Sequence, residues 1–183
     1  MRVISGTARG TVLKTPDGMH TRPTADRVKE AMFSILQFEL PGSKVLDLFG
    51  GTGQLGIEAL SRGAFHADFV DENDIACKII RENLSKTKFL HQSRVIRSDY
   101  ASFMHTCKEK YNIILLDPPY AKDFLENSLN LITEIDILQS GGIIVAEHPV
   151  EKALNADFKG LIHLKDYKYG KTVLTLFRKA CNI

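Results

Sequence analysis

Two stretches of the chain hold residues whose types and spacing could do chemistry. The first is NIILLDPPYAKDF, in which Ile113 to Leu116 are apolar without alternation and run straight into Asp117, Pro118, Pro119 and Tyr120. Such a run is expected to form a strand buried on both faces, yet it ends in an acid and two residues that cannot continue a ladder. Asp-Pro is a common turn opening. Whether this is loop punctuation or chemistry depends on what else the chain carries.

The second stretch is VLDLFGGTGQLGIEALSRG. Gly51, Gly53 and Gly56 satisfy G-x-G-x-x-G, and Asp71 stands 20 positions after Gly51. That is the spacing of a dinucleotide loop with its ribose-binding acid, so a nicotinamide-dependent dehydrogenase is one reading. Asp47 argues against it. A dinucleotide places its pyrophosphate at the helix N-terminus that follows such a loop, and a carboxylate at Asp47 would repel that anion. An acid there suits a ligand that is cationic or rich in hydroxyls. S-adenosylmethionine fits, with an ammonium, a sulfonium and a ribose diol but no phosphate, and glycines let the backbone approach it closely. Asp71 or its neighbour Glu72 would take the ribose hydroxyls, and Asp99 the adenine amine.

The elements that must position these residues follow from periodicity. A helix is expected from about Ala25 to Leu40, with Val28, Met32, Ile35 and Leu36 on one face and Pro41-Gly42 as its stop. Strands are expected at 44–48, 66–71, 93–97, 111–116 and 142–148. Helices fall between them at about 54–62, 73–87, 101–108 and 123–133, the second capped by Asn73. The alternation implies a largely parallel sheet covered on both faces. The end, LIHLKDYKYGKTVLTLFRK, forms a hairpin whose last strand enters antiparallel. The opening MRVISGTARGTVLKTPDG is expected to be a short hairpin turning near Gly6 and Gly10. In this layout Asp47, Asp71, Asp99 and Asp117 all lie at or just beyond strand carboxyl ends, where open α/β sheets bind ligands.

Composition sets the bounds. The 183 residues are 44% hydrophobic and 25% charged, ordinary for one globular domain. No membrane-length apolar run and no leader-like apolar segment occur, so a soluble, cytoplasmic protein is expected; a monomer is expected as well. The three cysteines are far apart and the six histidines show no paired spacing, so no metal is expected. Residues 1–29 hold six basic residues against two acidic, a net +4 in a chain whose total is +2. Such an arm can track phosphates. Arg27 and Lys29 can equally be the solvated side of an amphipathic helix.

With Asp47, the glycine loop and D-P-P-Y in this order, the chain resembles the Rossmann-like class I methyltransferases, whose [DNS]-P-P-[YFW] motif marks enzymes acting on nitrogens conjugated to a ring or carbonyl. The resemblance implies a seven-stranded, mostly parallel α/β sheet with an antiparallel last strand. It makes Asp117, Pro118, Pro119 and Tyr120 the catalytic loop. An Asp117 oxygen and the Pro118 carbonyl accept the two N–H bonds of the amine, stabilising charge as it develops, while the prolines fix φ and Tyr120 stacks on the base. The cofactor set is Asp47, Phe49, Gly50, Gly51, Thr52, Gly53, Asp71, Glu72, Asp99 and Tyr100.

RVISGTARGTVLKTP, TRPTADRVKEAMFSIL, VLDLFGGTGQLGIEALSRGA, DPPY and YGKT together are similar to one family, the bacterial 16S ribosomal RNA (guanine-N2)-methyltransferases, over nearly the full length. The similarity implies S-adenosylmethionine as cofactor and 16S ribosomal RNA as partner, within an assembling or assembled small subunit. It divides the single domain 1–183 into a basic hairpin extension, 1–23, and a core, 24–183. Arg2, Arg9 and Lys14 then meet RNA, with Arg22, Thr24 and Arg27 beside the pocket. Asp71 replaces the family's more usual Glu, which leaves Asp71 and Glu72 both open as the ribose acid. DNA adenine-N6 and protein glutamine-N5 methylation share the same Pro-Pro-Tyr chemistry.

Overall fold

A computed structural model of the chain describes residues 1–16, 23–119, 123–152, 154 and 157–181. Strands β1 (Lys44–Asp47), β2 (His66–Asp71), β3 (Ser93–Arg97) and β4 (Tyr111–Leu116) pair in parallel, and β5 (Leu138–Pro149) adds in parallel to β4. Two further strands, β6 (Leu161–Tyr169) and β7 (Thr172–Lys179), form the C-terminal hairpin, with β7 inserted antiparallel between β5 and β6. The seven-stranded order is β3-β2-β1-β4-β5-β7-β6.

Successive strand side chains point to opposite faces, and in the central strands both faces are apolar. Val45, Ile113 and Leu115 join one core; Leu46, Ile114 and Leu116 join the other. The first core is covered by α1 (Pro23–Ile35), α2 (Gln54–Ser61) and α3 (Asp74–Thr87), the second by α4 (Tyr100–Thr106) and α5 (Phe124–Ile135). Asn73 caps α3 as expected, its side chain accepting the Ile75 and Ala76 N–H groups.

Three expectations change. The first helix starts at Pro23, since proline is tolerated in a first turn. It ends at Ile35 rather than Leu40, because a Glu39 N–H to Leu36 carbonyl bond tightens the chain into a turn. Strand β5 begins at Leu138, not 142, passing through Gly141-Gly142 with a register shift opposite β4. The opening hairpin amounts to one antiparallel bridge, Arg2 to Val12.

Within residues 1–16 the segment is no appendage, for Val3, Ala8 and Leu13 are buried in the first core. One of its anchors is Glu58 of α2, whose fully buried carboxylate accepts the N–H groups of Ile4 (2.8 Å) and Ser5 (3.0 Å) and the Arg62 Nε (2.8 Å). Lys29 lies 3.6 Å from the same carboxylate and donates to the Arg2 carbonyl at 2.7 Å. Lys29 is thus buried, while Arg27 one turn-fraction away is exposed. The solvated-face reading holds for Arg27 alone. Burial pushes the Lys29 pKa down, against the pull of Glu58.

Glu58→Ala would strand a buried ammonium and two backbone donors. Loss of one partner from such a pair costs about 3–5 kcal/mol. Urea unfolding of Glu58→Ala should show a loss of that size, and a loss below about 1 kcal/mol would mean that Glu58 does not hold the arm.

Candidate active site

The strand order reverses between β1 and β4, and that is where the chemistry-bearing residues collect. Asp47 is the last residue of β1, Asp71 the last of β2, Asp117 follows the last of β4, and Asp99 lies two beyond β3. Along the carboxyl edge they stand in the order Asp99, Asp71, Asp47, Asp117, with the last two flanking the switch point.

Asp47 is buried, and its Oδ2 accepts the Gly56 N–H at 3.0 Å. Gly56 belongs to the first turn of α2, whose N–H groups have no partner within the helix. The N-cap residue is Gly53, which offers no side-chain cap, so the strand supplies the carboxylate from below. The seat that a pyrophosphate would take is therefore filled by the protein's own carboxyl group. Gly56 allows this approach: a Cβ there would lie 2.3 Å from the Phe69 ring. Gly53, at φ 78°, lets the chain turn from strand to helix.

Asp71 closes the outer side of the loop. Its Oδ2 accepts the Gly51 N–H and its Oδ1 the Asn73 N–H, each at 2.8 Å. Glu72 is exposed. Of the two acids left open by the spacing, Asp71 is the one on the glycine loop. Burial pushes the Asp47 pKa up to about 8, with the Gly56 bond opposing and the Asp117 and Asp71 charges adding. Burial also pushes Asp117 up to about 6. A pocket whose acids are raised by burial and mutual repulsion favours a cation over an anion.

Asp99 caps α4, accepting the Ser102 N–H at 2.9 Å, and that bond holds its pKa below the usual range. Phe49, Tyr100 and Phe124 form an aromatic cluster with centroids 5.6–6.1 Å apart. Phe124 was not expected from the sequence; an aromatic in the first turn after the D-P-P-Y loop is the signal that could have found it. Pro118 is buried and Pro119 exposed, while Tyr120 lies outside the described residues. Gly50 donates to the Val70 carbonyl. The Thr52 hydroxyl turns to the Met1 sulfur at 3.2 Å instead of into the loop.

The basic arm is brought to the site unevenly. Asn83 of α3 is buried and ties the arm to the glycine loop: its Oδ1 accepts the Lys14 N–H (2.7 Å), and its Nδ2 donates to the carbonyls of Lys14 (3.0 Å) and Thr52 (2.9 Å). Lys14 thus sits beside the loop, its ammonium on Glu82. Arg9 does not. Its turn is pinned to Ser61 at the far end of α2, about 12 Å along an eight-residue helix. Arg2 and Arg27 are exposed; Arg22 and the Thr24 side chain lie outside the described residues. Among the described residues no His, Cys, Asp and Glu cluster could hold a metal, and no helix is long and apolar enough to cross a membrane.

Comparison with known proteins places this geometry in company. The family model described as "Conserved hypothetical protein 95" matches residues 1–178. The chain is 39% identical over 182 residues to "Putative rRNA methyltransferase YlbH" of Bacillus subtilis (strain 168), covering 98% of this chain and 99% of that protein. It is 35% identical over 154 residues to "Ribosomal RNA small subunit methyltransferase D" of Escherichia coli (strain K12), covering 84% and 77%. The solved structure "Putative methyltransferase yhhF from Escherichia coli" superposes with a TM-score of 0.90 at 29% identity, covering 100% of this chain and 99% of that one. The seven-stranded sheet is the Rossmann-like class I methyltransferase fold.

The raised Asp47 pKa makes a pH prediction. The folded protein holds a proton on Asp47 that the unfolded chain has released, so stability falls as pH rises towards about 8 and levels off above it. Between pH 6 and 8 the slope attributable to Asp47 should approach about 1.4 kcal/mol per pH unit. Urea midpoints across this range should flatten in Asp47→Asn; an unchanged slope would show that Asp47 does not titrate there.

Proposed function

The chain belongs to the "Conserved hypothetical protein 95" family, and on that premise we propose that it transfers the methyl group of S-adenosylmethionine to the exocyclic N2 amine of a guanine in 16S ribosomal RNA, presented by the assembled or assembling small subunit. The observation that carries the reading is the pairing of Asp47 and Asp117 across the β1–β4 switch point: one buried acid at the glycine loop and one at the start of Asp-Pro-Pro, on adjacent strands. The curated relatives named for ribosomal RNA methylation support the substrate class.

The residues fit this cofactor. Asp47 and its acidic neighbours favour the ammonium and sulfonium, Asp71 stands on the loop where a ribose diol would lie, and Asp99, at the start of α4, stands where the adenine amine would lie. Phe49 and Tyr100 offer flat apolar surface for the purine. Bound there, S-adenosylmethionine supplies an electrophilic methyl on a positively charged sulfur. The chain's part is to aim the nucleophile. An Asp117 oxygen and the Pro118 carbonyl accept the two amine N–H bonds, turning the nitrogen lone pair away from the ring and stabilising the positive charge it gains. Alignment in a dry site supplies much of the rate. The raised Asp117 pKa also lets this carboxylate take up the proton the nitrogen sheds after transfer.

Methyl-labelled cofactor, offered with undermethylated 16S RNA, small subunits, DNA and a protein extract, tests the reading. Label should appear as N2-methylguanine in RNA and fall by about 10²–10³ in kcat for Asp117→Ala, the cost of losing one charge-stabilising group. Label in DNA or protein would overturn the substrate, and no label anywhere would overturn the whole reading.

Cofactor affinity should rise from pH 6 to 8. A bound cation lowers the Asp47 pKa, so binding releases a proton wherever the free protein still holds one, below about 8. Calorimetry in two buffers of different ionisation enthalpy should detect that proton, and Asp47→Asn should abolish it.

A further inference from the structure

A cavity with both polar and apolar lining is left unused by the function above. It lies on the β5–β7–β6 arm of the sheet and holds about 160 Å³, close to the roughly 150 Å³ that accepts a single aromatic ring in an engineered protein cavity. The pairings His148 to Val173, Val173 to Lys168 and Thr175 to Asp166 set these side chains on one sheet face. His148 and Pro149 end β5, the strand beside β4, so the cavity opens toward the same carboxyl edge as Asp117. From β4 to β7 is two strand spacings, about 10 Å, or the rise of about three stacked nucleotides.

Its polar side is fixed by a hydrogen-bonded chain. The Thr175 hydroxyl donates to Asp166 Oδ1 at 2.7 Å, which leaves the Thr175 oxygen to accept from His148 Nε2 at 2.9 Å. His163 Nε2 meets the same Oδ1 at 2.9 Å. Asp166 Oδ1 is therefore saturated, and its Oδ2 has no partner among the described residues. Lys168 likewise makes no ion pair among them. Alongside these groups, Val150, Leu154 and Val173 form an apolar wall. The hairpin around the cavity carries Lys165, Lys168 and Lys171 against Asp166 alone, a surface suited to a polyanion.

An isolated phosphate would leave the apolar wall and the open carboxylate oxygen unused, and Lys168 opposes a metal cation. A flat ring with N–H groups on its edge and a phosphate on its sugar uses every feature. Resting on the RNA reading above, we propose that this cavity is a subsite for an unpaired nucleotide of the substrate RNA, two or three positions from the methylated guanine. Its base enters against Val150, Leu154 and Val173, Asp166 Oδ2 accepts from the base edge, and Lys168 neutralises its phosphate.

Methylation kinetics of the full chain on undermethylated 16S RNA, over a range of salt concentrations, test it with Lys168→Ala and Val150→Trp, both at exposed positions. Each should raise the RNA KM roughly 3- to 10-fold with no change in S-adenosylmethionine affinity. Lys168→Ala should also lower the slope of log(kcat/KM) against log salt by about one, the mark of one lost phosphate contact, while Val150→Trp leaves that slope alone. Wild-type activity on RNA with both variants keeping the wild-type KM and salt slope would overturn the subsite and leave the methyltransferase reading standing. Absence of wild-type activity on RNA would overturn both.

Discussion

Asp47 occupies the N-terminus of α2, and most of what the edge can bind depends on it. A helix start leaves N–H groups unpaired, and in related sheet architectures a ligand phosphate takes them. Here the strand below provides a carboxyl oxygen instead, which accepts the Gly56 N–H at 3.0 Å. The arrangement is costly, since a carboxylate without water beside two further acids prefers to keep its proton. That same cost makes a cationic ligand favourable, because the ligand restores to Asp47 the charge stabilisation that burial removed. Gly56 is the geometric condition: the close packing of α2 on Phe69 leaves no room for a Cβ and brings the N–H within reach.

A second consequence is that the glycine loop does not stand by itself. Asn83 links its Thr52 carbonyl to Lys14, and Glu58, one helical turn beyond the loop, holds the backbone of Ile4 and Ser5. The basic N-terminal segment and the loop are therefore joined by hydrogen bonds through Asn83 and Glu58. Movement of the arm would be felt at the loop, and ordering of the loop by a ligand would stabilise the arm. Lys29 takes part from α1 through the Arg2 carbonyl, which is why a residue of ordinary solvated type is buried.

On the other side of the switch point the sheet changes character. The parallel strands are buried on both faces, whereas β6 is exposed along most of its length and carries lysines. The antiparallel hairpin extends the site's edge with polar, basic surface that central strands could not supply. Its cavity and the Asp117 loop share that edge because β5 is common to both.

Much of this was legible in the residues. Strand positions follow from apolar runs, the Asn73 cap from a side chain bonding two residues on, and the collection of four acids from the β-α alternation; all depend on neighbours in the chain, and local sequence encodes them. The bonding of Asp71 to the glycine loop, the burial of Lys29 but not Arg27, the capping role of Asp47, the far placement of Arg9 and the side chains Glu58, Asn83 and Phe124 were not legible. Each rests on a partner from another element, such as Glu58 with Ile4, 54 residues apart, or Asn83 with Lys14, 69 apart. Sequence by itself determined which elements form and which end of the sheet carries the acids. Only the tertiary structure decided which side chains meet there, because burial and hydrogen-bond geometry are properties of packed elements and not of the segments that compose them.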